Sequence, residues 1–166
     1  MDPRVQTSSE HLRKQFELVL KLRDRQDEMN KAILAIRDLR SQLQALEKRM
    51  GSGDEAKPVV SASADLRKKI SAIEEDLIQV NSKASEDEAN FPTKLNSKFG
   101  YLQNAVDSAD AAPTEPEASV FAGLDQQLEA QLTKWRDVLA KDVPALNDAM
   151  RRNSIPLIAP SSSAPQ

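Results

Sequence analysis

The residues able to do chemistry are few, and their spacing is poor for it. His11 is the single histidine and there is no cysteine. A His/Cys zinc set therefore cannot form within one chain, and thiol or disulfide chemistry is excluded. Acids cluster at Glu74, Glu75, Asp76 and again at Glu86, Asp87, Glu88. They lack the Asn and Gly spacing of a calcium-binding loop, so they read as a solvated acidic face. Two carboxylates flanking a scissile bond would suit sugar hydrolysis, but no pair here converges from two elements. No glycine-rich phosphate loop and no G-x-S-x-G elbow occur. Trp135 could stack on a ligand, yet it is in register with Leu128, Leu132 and Leu139 and reads as core. Met29 and Met50 read as gap-fillers in an apolar seam. No residue is assigned a catalytic, cofactor-binding or metal-binding role, and the chain is expected not to be an enzyme.

Charge is spread unevenly. Residues 1–50 carry eleven Lys/Arg against eight Asp/Glu, whereas residues 107–166 carry five against nine. A basic first helix beside acidic later ones is internally complementary. Nucleic-acid binding would need a denser basic face with interleaved aromatics, so no nucleic-acid partner is expected. The longest apolar runs, such as Ala32–Ile36, cover a few residues, so no membrane insertion is expected either. No signal-peptide pattern follows Met1.

The elements that must position these residues are helices. An apolar seam repeats every three or four residues as Met29, Ile33, Ile36, Leu39, Leu43, Leu46, Met50. It begins with Leu12, Phe16, Val19 and Leu22, and returns as Leu66, Ile70, Ile73, Leu77, Val80, Ala84 and as Leu95, Phe99, Leu102, Val106, Ala109. That rhythm buries one stripe of each helix, close to the period of coiled coils. Breaks at Gly51-Ser52-Gly53, Asn90-Phe91-Pro92 and Ala111-Ala112-Pro113 divide it. Helices are expected at about residues 8–50, 64–85, 92–110 and 115–142, with a short one at 144–152. Thr7/Glu10 and Thr114/Glu117 stand in capping-box spacing. Residues 54–63 read as a linker, and Pro144 is expected to kink or interrupt the fourth helix.

The expected fold is an all-α, antiparallel four-helix bundle, coiled-coil-like, with one long N-terminal helix. The bundle domain would span residues 1–158, with Ile155–Ile158 as an extended strap across it and 159–166 as a disordered tail. The first helix is about 60 Å long at 1.5 Å per residue, nearly twice the second and third. Part of its seam therefore needs another cover.

Several segments together resemble the helical region of large bacterial BNR-repeat, sortilin-like β-propeller proteins, often labelled glycosyl hydrolases. They are Asp2–Val5, Gln15–Asp24, Ile36–Arg40, Asn90–Asn96 and Ser108–Thr114, and the resemblance spans about residues 2–146. It implies a C-terminal domain that follows a propeller, in a protein that is exported to the periplasm or beyond. The propeller's S-x-D-x-G-x-T-W boxes do not occur in this chain, so no sugar-cleaving residue carries over. One departure is Pro144, where the family pattern continues the helix.

The expected function is therefore a non-catalytic helical module, without cofactor, for intramolecular packing or protein–protein association. Its partner would be its own parent propeller or a second copy of the chain. The alternative is a free-standing coiled-coil adaptor or chaperone-like protein.

Overall fold

The computed structural model describes residues 7–50, 57–82, 90–153 and 155–159. All regular elements among them are helical: α1 (Ser9–Met50), α2 (Lys57–Leu77), α3 (Leu95–Val106), α4 (Glu115–Asp137) and α5 (Val143–Arg152). A π-helical turn, Val138–Asp142, joins α4 to α5, so the described residues form four helical rods of an all-α fold. No described helix is long and apolar enough to cross a membrane.

The chain divides into two compact units. Met1–Met29 and Leu77–Ala130 form the first, and Asn30–Asp76 and Gln131–Gln166 form the second. Both α1 and α4 contribute to each unit.

In the first unit, Leu18, Leu22, Met29, Phe99, Leu102, Val106, Leu124 and Leu128 are buried. Each such side chain contributes about 1.5–3 kcal/mol relative to exposure. Gln15 on α1 donates through Nε2 to the Val106 carbonyl at 2.6 Å, and Gln26 bonds to Gln103 at 2.7 Å. Residue numbers on α1 rise as those on α3 fall, so the two run antiparallel. The Gln26–Gln103 amide pair occupies the step where the apolar seam lapses.

In the second unit, Ile36, Leu39, Leu43 and Leu46 of α1 are fully buried, as is Ile70 of α2. Arg37 on α1 meets Glu74 on α2, and Glu47 meets Ser63 and Arg67. This pair is antiparallel too. Within the first unit α3 therefore lies against α1, and within the second unit α2 does.

Several boundaries depart from the sequence expectation. Helix α2 starts at Lys57, not near residue 64, because Pro58 stands in its first turn, where its missing N–H would have no partner anyway. It ends at Leu77, and residues 78–82 are not helical; Ser85, the expected end, lies outside the described residues. Helix α3 is shorter than 92–110. Lys94 has extended backbone at its N-cap, with Asn90–Thr93 outside the helix, and Asp107 closes it through backbone bonds to Ala105 and Gln103. The first helix is capped by Ser8, whose Oγ accepts from the His11 N–H at 3.2 Å, rather than by Thr7. The Thr114/Glu117 box forms as expected, with Glu117 accepting from the Thr114 N–H at 2.7 Å and Thr114 from the Glu117 N–H at 3.4 Å. The Gly51–Gly53 break lies outside the described residues.

Pro144 does not interrupt the rod. In the π turn the Val143 N–H reaches back five residues to the Val138 carbonyl, and Pro144 follows in the first turn of α5. The extra residue advances the register by one. The buried series runs Leu128, Leu132, Trp135, Val138 and then Val143, Leu146, Met150. Val138 thereby takes the inward place expected of Leu139.

Candidate functional site

Among the described residues, no group of three or more His, Asp or Glu could hold a metal ion. His11 is exposed in the first turn of α1. Met29 is core and Met50 half-buried at the end of α1. Trp135 is fully buried, with no hydrogen-bond partner for its Nε1 in the structure. Phe16 is not part of the seam: it is 61 % exposed, while Leu18 turns inward beside it.

The acidic face of α2 divides. Glu75 and Asp76 are exposed, but Glu74 is 1 % exposed and sits between two guanidinium groups of α1. Arg37 Nε donates to one carboxylate oxygen at 2.6 Å, and Arg40 donates to the other. Glu86, Asp87 and Glu88 lie outside the described residues. The sequence signal for this clamp was present: Glu74 lies between the seam residues Ile73 and Leu77, opposite two arginines three apart.

A second charge knot centres on Arg25 in the first unit. It donates to Glu28 on its own helix and to Glu129 on α4 at 3.1 Å, and its Nε lies 2.6 Å from Asp125. Desolvation works against this charge, but the Glu129 hydrogen bond and the charges of Glu28, Asp125 and Glu129 raise its pKa above the ordinary guanidinium value. On the surface, Lys14 and Lys141 hold the carboxyls of Glu10 and Asp137 below the usual range through hydrogen bonds one helical turn away. All these charges tie helix to helix or turn to turn.

A cleft of about 230 Å³ with two aromatic side chains in its wall lies in the first unit, beside the start of α3. Ile78, Phe91, Pro92 and Tyr101 give it apolar walls, and Lys94 and Asn96 a polar edge. Gln79 Nε2 donates to the Pro92 carbonyl at 3.2 Å and holds the two sides together. Tyr101 is 56 % exposed, because the inward face of α3 is already taken by Leu95, Phe99, Leu102 and Val106. The cleft joins an aromatic edge to hydrogen-bonding side chains, which suits an apolar side chain presented on a polar backbone. The sequence reading does not single it out: Phe91 figures there in the Asn90-Phe91-Pro92 break, whereas in the structure it is half-exposed and lines the cleft.

No protein-family model, no curated protein and no solved structure matches this chain.

Proposed function

We propose that the chain is a non-catalytic helical module of a larger, exported β-propeller protein, and that it serves packing or association with protein partners. One observation carries this reading. The run Asn90–Asn96, one of the segments resembling the propeller proteins, supplies Phe91, Pro92, Thr93, Lys94 and Asn96 to the cleft beside Tyr101. Its first five residues, Asn90–Lys94, are outside any helix and not fully buried, yet help build an aromatic recess, and such a segment is suited to contact. The parent propeller is the first partner to consider and a second copy of the chain the next. The parent's own chemistry, including any sugar hydrolysis, belongs to the propeller in this reading.

The coding sequence tests the parentage. Extended upstream, the reading frame should run into repeats of the S-x-D-x-G-x-T-W type. A frame that begins at Met1 would overturn the propeller parentage and favour the free-standing adaptor.

A further inference from the structure

The C-terminal strap is held in an unusual way. After α5, the Ile155 N–H returns to the Met150 carbonyl at 3.0 Å, and the chain then runs extended to Ala159. Asn147 on α5 pairs with Ile158 as a neighbouring β-strand would. Its Oδ1 accepts from the Ile158 N–H at 3.0 Å, and its Nδ2 donates to the Ile158 carbonyl at 2.9 Å. Gln42 on α1 does the same for Ala159, accepting from its N–H at 3.0 Å and donating to its carbonyl at 2.8 Å. Two side-chain amides therefore read the backbone of two successive residues. Ile158 is buried, whereas Leu157 is 47 % exposed.

This is how an extended peptide is recognised at a sheet edge: main-chain bonds supply affinity and one pocket supplies selectivity. We propose that Gln42 and Asn147 form an acceptor for an extended peptide, occupied in cis by Ile155–Ala159. Its partner ligand is a segment of another protein with a branched aliphatic residue followed by a small one, as Ile158 and Ala159 are. The balance that holds the strap is small. One buried side chain and four hydrogen bonds oppose the entropy of ordering five residues, and Gln42 and Ala159 are reached by solvent. For another peptide to bind, the strap must open locally while the helices stay folded. The site lies in the second unit and does not depend on the cleft beside Tyr101.

The test uses the full chain with Ile158→Asp, which expels the strap. The probe is a fluorescein-labelled peptide with the sequence of residues 153–160. It should bind the variant about tenfold or more tighter than the wild type, where the cis strap competes at a high effective concentration. Adding Asn147→Ala, or replacing the isoleucine nearest the peptide's C-terminus by alanine, should abolish binding. A helical Ile158→Asp variant that binds no peptide overturns the proposal, as does binding indifferent to Asn147→Ala. If that variant loses its helical circular dichroism, hydrogen exchange on the wild type decides. The Ile158 and Ala159 amides should exchange well before those of Leu43 and Leu146, and exchange at one common rate overturns the acceptor.

Discussion

At the residue scale, the most consequential side chain is Glu74. A carboxylate this buried is tolerated because Arg37 and Arg40 neutralise it, and the pair of arginines is in turn fixed by it. Removing one partner of a buried ion pair typically costs 3–5 kcal/mol; Arg37 is half-exposed and can turn to water, so Glu74→Ala should cost about 2 kcal/mol. Urea denaturation followed by circular dichroism measures it, and an unchanged midpoint would show that the clamp contributes nothing. The clamp also marks a limit of reading charge from sequence. Six acids near the end of α2 looked alike, and the geometry separates Glu74 from Glu75 and Asp76. The difference comes from helical phase: Glu74 is four residues from Ile70 and three from Leu77, both of which face the core.

At the element scale, the π turn is the feature that keeps α4 and α5 in one rod. An α-helical path through Pro144 would clash with the preceding turn and lose a hydrogen bond. The wider turn avoids this and shifts the buried positions by one residue, from Val138 to Val143. Deleting Ala140 together with Pro144→Ala should yield a continuous α-helix with the same residues inward, and stability equal to or above the wild type. Deleting Ala140 alone leaves the proline inside a regular helix and should cost about 3 kcal/mol. Equal stability of the two variants in thermal melts would contradict this account. The helices themselves were legible because their seams follow a three–four period, and that pattern survives at Leu22, Met29, Ile36, Leu43 and Leu46. Their ends were less so. Pro58 falls in the stretch that reads as a linker although proline is equally at home in a first turn, and Phe16 fits the period yet is largely exposed. Ala159 was assigned to a disordered tail, and only the two amides on distant helices reveal that it is bound.

At the scale of the whole molecule, each unit supplies its own cover for its part of α1: α3 bonds to it in the first unit and α2 in the second. The first unit offers a local surface for a partner: the cleft of Phe91, Pro92 and Tyr101. This changes where association is expected. It should depend on an aromatic recess beside α3, where a few anchors dominate affinity, and not on an open stretch of α1. The cleft was invisible in the sequence because Tyr101 and Phe91 are ten residues apart on different structural elements, and neither belongs to a recognisable motif. The central claim is that this recess is a protein-docking site, for which the proposed parent propeller is the first partner to test. Titration calorimetry of the purified chain against that propeller tests it most directly. Binding should be seen with the wild type and fall about tenfold or more with Tyr101→Ala, as truncation of an aromatic anchor does, with the helical circular dichroism unchanged. Absence of binding, or binding that Tyr101→Ala leaves intact, would contradict it.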